Sequence, residues 1–351
     1  MKRIVLAGGG TGGHIMPNIA LIPHLTQYFE VHYMGIESDR EIVCNHSPQT
    51  IFHTIDSVKL VRPVYHLSNV LIPFKLHMCK KKAIKVMQDI DPSIVFSKGG
   101  FVALPAVLAA EKLKVPYILH ESDCSLGLSN RLCVNKAKAV LASFDIAIKG
   151  VKNGQHIGSP IRKLNGDKTR LDLSNLNPQL PNLLIVGGSK GAKAINTCII
   201  LNLDTLLQDY NVIHITGKDG IDNTKRRGYL QIAFAHNMAD YIDAADYVIS
   251  RAGANTLFEL IHQSKPTLVI PLPKSTSRGD QLQNAKYFED KKCILVLQQE
   301  SLNCNTLLNK LQELKKSKNI LINNCGSQHN IDGTQRIVNK ILEIDKASHT
   351  V

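Results

Sequence analysis

His14 is the residue best placed to do chemistry. It directly follows the glycine-rich loop Gly8-Gly9-Gly10-Thr11-Gly12-Gly13, which stands behind the short apolar run Arg3-Ile4-Val5-Leu6-Ala7. A helix dipole disfavours a cationic imidazole at the helix N-terminus. This histidine is therefore biased toward the neutral form, which can take up a proton as a general base. A second glycine loop, Gly187-Gly188-Ser189-Lys190-Gly191-Ala192, follows Leu183–Val186 in the other half of the chain. Each loop offers backbone N–H groups and a helix N-terminus to an anion. Together they predict a phosphate-bearing ligand in a cleft lined by both.

Further polar groups cluster behind other apolar runs. Gly8-x-Gly10-x-x-Gly13 also spells the dinucleotide fingerprint, which wants an acidic residue after the second strand. Glu37 is roughly placed, but the run Glu37, Asp39, Arg40, Glu41 reads as a solvated helix start, and His14 has no part in binding NAD. Ser97-Lys98-Gly99-Gly100-Phe101 and His120-Glu121-Ser122-Asp123 follow two more strands at the edge where open α/β sheets bind ligands. Asp89-Ile90-Asp91 has the spelling of a metal–nucleotide site, yet the Pro92 after it marks a turn, and no metal is assigned. In the second half, Ser250-Arg251-Ala252-Gly253 leads into a helix that carries Glu259 one turn inside, where a carboxylate can accept from a vicinal diol. Asp280 and Gln281 open another helix and offer acceptors and donors to sugar hydroxyls.

Strands alternate with helix-length segments to position these groups. In the first half the strands read as Ile4–Ala7, Val31–Gly35, Ile94–Ser97, Tyr117–His120 and Ala139–Ala142, with a helix such as Pro105–Leu113 in each gap. In the second they read as Leu183–Val186, Val212–Thr216, Tyr247–Ser250, Thr267–Ile270 and Ile294–Leu297. Near-continuous apolar strands separated by helices predict parallel sheets with right-handed crossovers. The expected fold is α/β, two Rossmann-like doubly wound domains facing across a cleft. The expected boundaries are 1–159 for an N-terminal domain, 160–333 for a C-terminal domain, and 334–351 for a helix (Thr334–Ile344) and tail able to pack back on the first domain.

The 351 residues suffice for two cores, and 44% of them are apolar. The net charge of +13 is spread over both halves, with 18 Lys/Arg against 11 Asp/Glu through residue 160. Such a field suits anionic partners. With no Trp and 5% aromatics, base-stacking readers of nucleic acid are disfavoured, and no nucleic-acid partner is expected. Eight cysteines without paired spacing read as reduced thiols. The N-terminus does not fit a signal peptide, and no apolar run is long enough to span a bilayer.

Taken in order over residues 8–285, Gly-Gly-Thr-Gly-Gly-His, Lys-Gly-Gly-Phe, His-Glu-Ser-Asp, Gly-Ser-Pro-Ile-Arg, Gly-Gly-Ser-Lys-Gly-Ala, Arg-Ala-Gly-Ala-x-Thr-x-x-Glu and Asp-Gln-x-x-Asn-Ala form a specific set. In them the chain resembles the MurG family of bacterial peptidoglycan N-acetylglucosaminyltransferases, which has the GT-B fold. The resemblance implies inverting, metal-independent transfer of GlcNAc from UDP-GlcNAc, without a cofactor. The acceptor would be the MurNAc 4-hydroxyl of lipid I on undecaprenyl pyrophosphate, and the product lipid II, which serves cell-wall biogenesis, shape and division. It implies donor contacts at Thr11, Gly12, Gly13, Arg162, Ser189, Ala235, Ala254, Asn255, Thr256, Leu257, Phe258, Glu259 and Gln281. Glu259 would hold the ribose, the Ala235 backbone would read uracil, and Asp280 with Gln281 would meet the GlcNAc hydroxyls. His14 would be the base, with Gly10, Gly99, Gly100 and Phe101 facing the acceptor and its pyrophosphate. Some members carry Asn where this chain has Asp123 and Tyr where it has Phe101.

The segment Lys59–Leu76 interleaves Leu71, Ile72 and Phe74 with Lys59, Arg62 and Lys75, and Lys80–Lys82 follow. A basic rim around apolar residues suits an anionic membrane surface. The expected place is peripheral, on the cytoplasmic face of the bacterial plasma membrane. A related GT-B glycolipid glycosyltransferase, a UDP-GlcNAc 2-epimerase and a non-enzymatic nucleotide-binding membrane scaffold remain the alternatives.

Overall fold

The computed structural model describes residues 1–59, 67–162, 166–188, 191–217, 225–235 and 237–348. The chain forms two compact units, Met1–Arg162 with Asn330–Val351, and Lys163–His329. The first unit runs β1 (Lys2–Ala7), α1 (Gly12–Leu25), β2 (Phe29–Gly35), α2 (Arg40–His46), β3 (Ile51–Thr54), α3 (Ile72–Ile90), β4 (Ile94–Ser97), α4 (Gly100–Leu113), β5 (Tyr117–Glu121), α5 (Leu128–Cys133), β6 (Ala139–Ala142) and β7 (Gly154–His156). The second runs β8 (Asn182–Val186), α6 (Lys193–Leu201), α7 (Leu203–Asp209), β9 (Asn211–Ile215), β10 (Tyr229–Ile232), α8 (Met238–Ala244), β11 (Tyr247–Ser250), α9 (Ala254–His262), β12 (Thr267–Val269), α10 (Asp280–Asp290), β13 (Leu295–Val296) and α11 (Cys304–Gly326). The chain then returns to the first unit with α12 (Thr334–Ala347).

Both sheets are parallel, ordered β3-β2-β1-β4-β5-β6-β7 and β10-β9-β8-β11-β12-β13. Alternate residues of β1 serve opposite faces, as strand geometry demands. Ile4 and Leu6 pack with Ile15, Leu21 and Ile22 of α1 and with Ile337, Val338 and Ile341 of α12. Val5 and Ala7 pack with Met87 of α3 and with Ala103, Ala106 and Ala110 of α4. In the second unit Leu183 and Ile185 face α6, α7 and α11, while Leu184 and Val186 face α8 and α9. Burial on both faces explains why the central strands carry unbroken apolar runs.

Three strands escape the sequence reading, β3, β7 and β10, and all three lie at sheet edges. Their residues are partly exposed and include Gln155, His156 and Gln231, so neither an apolar run nor a clean alternation marks them. Helix α4 begins at Gly100, five residues before the expected start, and Pro105 lies inside it. The first helical turn needs no intrahelical N–H partner, but Pro105 sits beyond it, where its ring replaces one backbone bond.

Residues 157–161 are zipped to residues 331–336 within the first unit. Ser159 N donates to the Ile331 carbonyl at 3.1 Å and Gly333 N to the Ser159 carbonyl at 2.8 Å. Thr334 Oγ1 accepts from Ile161 N at 3.0 Å, and the Arg336 guanidinium donates to the Ile157 carbonyl at 3.1 and 2.9 Å. Gly158 makes this closeness possible: its φ is +88°, and a Cβ there would lie 2.1 Å from the Asn330 carbonyl oxygen. Gly158→Ala is therefore expected to lower unfolding stability by about 2–4 kcal/mol through strain and a backbone clash. Urea unfolding of both proteins measures this; an unchanged midpoint would show that the contact is easily relaxed.

Candidate functional site

The strand order reverses between β1 and β4 in the first unit and between β8 and β11 in the second. The C-terminal ends of strands at such a switch point are where open α/β sheets hold ligands, because successive crossovers diverge to opposite faces there. In the first unit the loops at this point are Gly8–Thr11 and Lys98–Gly99. His14 lies in the first turn of α1, and Thr11 Oγ1 is 2.9 Å from its Nδ1. Thr11 is the N-cap residue, yet its side chain caps no backbone N–H and instead orients the imidazole. A Cβ at Gly100 would sit 3.1 Å from His14 Nε2, so that side of the ring lies against the Gly99–Gly100 turn. The Phe101 ring rests on Gly10, with Cζ 2.8 Å from where a Cβ would stand. His14, Gly10, Gly99, Gly100 and Phe101 are thus brought together.

Asp39 departs from its expected solvated setting. It is 3% exposed, and its carboxylate accepts from Gly10 N at 3.0 and 3.1 Å and from Ile36 N at 3.4 Å. Burial pushes its carboxyl above the ordinary value, against the pull of those two amides. The Gly10 N–H is therefore engaged by the protein's own carboxylate. Glu37 and Arg40 of the same run do face solvent, paired at 2.8 Å.

Beneath these loops lies a buried polar cluster. Lys98 Nζ is 2.6 Å from His120 Nδ1 and also donates to Ser122 Oγ. His120 Nε2 donates to the Gly158 carbonyl at 3.2 Å, so its Nδ1 is the acceptor for Lys98. Burial, and then the Lys98 charge, hold the His120 imidazole well below its usual value, in the neutral form. The Glu121 carboxylate accepts from Ser122 N at 3.0 Å, Asp123 N at 3.2 Å, Gly127 N at 2.8 Å and Asn130 Nδ2 at 2.9 Å. Burial and the nearby Asp123 nonetheless raise its pKa.

The second unit's switch point carries Gly187–Gly188 and Gly191 after β8, and Arg251–Gly253 after β11. Gly191 N donates to the Gly188 carbonyl at 2.9 Å ahead of α6. Arg251 is buried and ties three segments together through the Ile270 and Pro271 carbonyls and Gln299 Oε1. Along α9, Ala254, Leu257 and Phe258 turn into the core, while Asn255, Thr256 and Glu259 are half-buried on the other side. Any role of Leu257 and Phe258 toward a ligand falls to their backbone. Ala235 is buried beside the exposed Phe234. Asp280 pairs with Arg278 at 3.0 Å, and Gln281 Oε1 accepts from Leu272 N at 3.0 Å.

Thr11, Gly12, Gly13 and the half-buried Arg162 belong to the first unit; Ser189 and Arg62 fall outside the described residues. Leu71 and Phe74, at the start of α3, are 57% and 68% exposed beside Lys75, with Ile72 half-buried. The Lys59 ammonium lies 5.7 Å from the centre of the Phe101 ring. Among the described residues no helix is long and apolar enough to cross a membrane. All eight cysteines are thiols. Asp91 ends α3 with a left-handed φ of 49°, in a turn.

Lys98 provides a test of the buried cluster. Burial pushes its ammonium down to about 7 from an ordinary 10.5. Between those values the unfolded chain binds the proton that the folded chain has lost, so folding gains stability as pH rises. The penalty is complete at and below about 7 and gone above the ordinary value. The melting temperature of Lys98→Met, relative to the parent, should accordingly stand several degrees higher near pH 7 than near pH 10. Equal displacements at both pH values would contradict the burial argument.

Comparison with known proteins agrees with this architecture. The glycosyltransferase family 28 N-terminal domain matches residues 4–142, and the glycosyltransferase family 28 C-terminal domain matches residues 182–340. A UDP-N-acetylglucosamine–N-acetylmuramyl-(pentapeptide) pyrophosphoryl-undecaprenol N-acetylglucosamine transferase of Clostridium botulinum (strain Alaska E43 / Type E3) is 41% identical, covering 97% of this chain and 98% of its own. The protein of the same name from Clostridium kluyveri is also 41% identical, over 97% and 99%. The crystal structure of Acinetobacter baumannii MurG shares the fold, with a TM-score of 0.75 at 24% identity over 98% of this chain and 100% of that one. The chain belongs to glycosyltransferase family 28 and, within it, to the UDP-N-acetylglucosamine–N-acetylmuramyl-(pentapeptide) pyrophosphoryl-undecaprenol N-acetylglucosamine transferases.

Proposed function

We propose that this protein transfers GlcNAc from UDP-GlcNAc to the MurNAc 4-hydroxyl of undecaprenyl-pyrophosphoryl-MurNAc-pentapeptide, turning lipid I into lipid II. The observation that carries this reading is the 41% identity to a transferase of that name over 97% of the chain. The acceptor oxygen attacks C1 of GlcNAc from the face opposite UDP, and the bond from C1 to the phosphate oxygen breaks with inversion. The hydroxyl proton passes to His14, whose ring Thr11 orients against the Gly99–Gly100 turn. Negative charge develops on UDP, and the backbone N–H groups at the start of α6, just after the second glycine loop, are the donors that would receive it. Glu259 holds the ribose diol, the Ala235 backbone reads uracil, and Asp280 with Gln281 meets the GlcNAc hydroxyls.

Two substitutions separate the roles. His14→Ala should lower kcat by about 10²–10⁴-fold while UDP still binds. Glu259→Ala should weaken UDP binding by about tenfold. Assay with UDP-GlcNAc and a lipid I analogue, together with UDP titration, checks both. Full turnover by His14→Ala would remove it as base, and undiminished UDP affinity in Glu259→Ala would remove the ribose contact.

The same reading places the protein peripherally on the anionic, cytoplasmic face of the plasma membrane. Exposed Val70, Leu71 and Phe74 beside Lys75 support it. Burying two such side chains in lipid is worth about 1.5–3 kcal/mol each at most. Replacing both Leu71 and Phe74 by Ser should therefore cut flotation with anionic liposomes by about tenfold or more. Unaltered flotation of the double variant would show that this surface does not meet lipid.

A further inference from the structure

We propose that Lys98 is a positioning residue for the acceptor: by holding the Ser122 hydroxyl it fixes the turn at residues 122–127 beside the glycine loops that carry His14. This rests on the reading that the first unit binds the lipid-linked acceptor. Lys98 is 2% exposed and opens the second loop of the switch point, directly after β4. Its Cβ is 3.4 Å from where a Cβ of Gly8 would lie, and its Nζ reaches Ser122 Oγ and His120 Nδ1. The next residue, Gly99, lies against Asn130, whose Nδ2 would be 2.9 Å from a Cβ there. Asn130 in turn donates to the His120 carbonyl at 3.2 Å and to Glu121 Oε2 at 2.9 Å. Glu121 gathers the amides of Ser122, Asp123 and Gly127. The Lys98–Gly100 segment and the 122–130 segment are thus tied together by hydrogen bonds and close packing, with His14 resting on Gly100.

The titratable and charged groups facing Lys98 are His120 and Glu121 on β5 and Asp123 on the turn after it. His14 from α1 and Asp39 from the turn after β2 border the glycine loops above. His120 is neutral and fixed as an acceptor, so the ammonium has two neutral acceptors within hydrogen-bond reach, while the carboxylates act from farther off. An ammonium has only N–H to offer, so Ser122 Oγ must accept from it, and the hydroxyl proton is turned away from Lys98. A neutral amine can instead accept that proton. The charge state of Lys98 therefore sets the direction of the Ser122 hydroxyl and the potential felt by a diphosphate held at the loops. Diphosphate diesters do not titrate near neutral pH, so a neutral-range limb in acceptor binding reports on the protein.

The experiment is steady-state assay with UDP-GlcNAc and a lipid I analogue between about pH 6 and 9, with both KM values resolved. In the parent the acceptor KM should rise roughly tenfold as pH climbs through neutrality, while the UDP-GlcNAc KM stays level. Lys98→Met should show the high acceptor KM across the range. Lys98→Arg, whose guanidinium does not deprotonate, should keep the low value to higher pH. Ser122→Ala, which leaves the lysine and the fold in place, should raise the acceptor KM severalfold and lose the limb. A Lys98→Met or Ser122→Ala protein that keeps the parent's acceptor KM and limb overturns the proposal while leaving the transferase reading intact. A limb in the UDP-GlcNAc KM that follows Lys98 overturns the acceptor assignment of the first unit. Absence of lipid II from the parent protein overturns the transferase reading itself.

Discussion

A right-handed crossover carries α1 to one face of the first sheet, and the crossover after β4 carries α4 to the other. The two strands are neighbours, so their C-terminal ends are left with loops that part company and cover nothing between them. This divergence, repeated at β8 and β11, is the constraint on which the rest of the structure depends. It fixes where backbone N–H groups can be offered, and it requires residues small enough for one loop to lie on another. The glycines at 8–10, 99–100, 187 and 191 follow from that crowding, whereas Gly188 has open space around it and answers instead to its φ of +88°. His14 is positioned by the same geometry, being the first side chain of α1 large enough to cross from one loop to the next.

Polar groups buried at these ends are costly, and the fold treats them unequally. Arg251 is fully committed to two carbonyls and a glutamine, so it braces three strand ends. Asp39 is held by two amides and locks the first glycine loop from behind. Lys98 meets only neutral acceptors, His120 Nδ1 and Ser122 Oγ, at hydrogen-bond distance among the described residues, which leaves its proton loosely held. Two of these groups stiffen the scaffold, and the third lies where a proton can be gained or lost without rearranging the sheet.

Much of the fold is legible in the sequence because parallel central strands must be apolar on both faces. Ile94–Ser97, Ala139–Ala142 and Tyr247–Ser250 end where their composition changes. The edge strands Ile51–Thr54 and Gly154–His156 are half in water and carry no such mark. The grouping of His14 with Gly10, Gly99, Gly100 and Phe101 is legible too, since each follows a strand that the sheet brings alongside its neighbour. Asp39 is not: its run of charges reads as a solvated helix start, and only the third dimension shows a carboxylate turned inward onto an amide. Likewise the helical period of α9, once its phase is seen, sends Leu257 and Phe258 into the core and leaves Glu259 outside it. A motif spelled in sequence cannot by itself separate those two faces.

The return of the chain at Asn330 has a consequence for how the molecule is made. Ile337, Val338 and Ile341 complete a core whose other members, Ile4, Leu6 and Leu21, are synthesised more than three hundred residues earlier. On the ribosome, the second unit is a continuous segment that can close its own sheet as soon as it emerges. The first unit begins earlier yet must wait, with the face of its sheet that α12 will cover still open to solvent. The core of the first unit is thus sealed only when α12 arrives, well after the strands that it covers have been made.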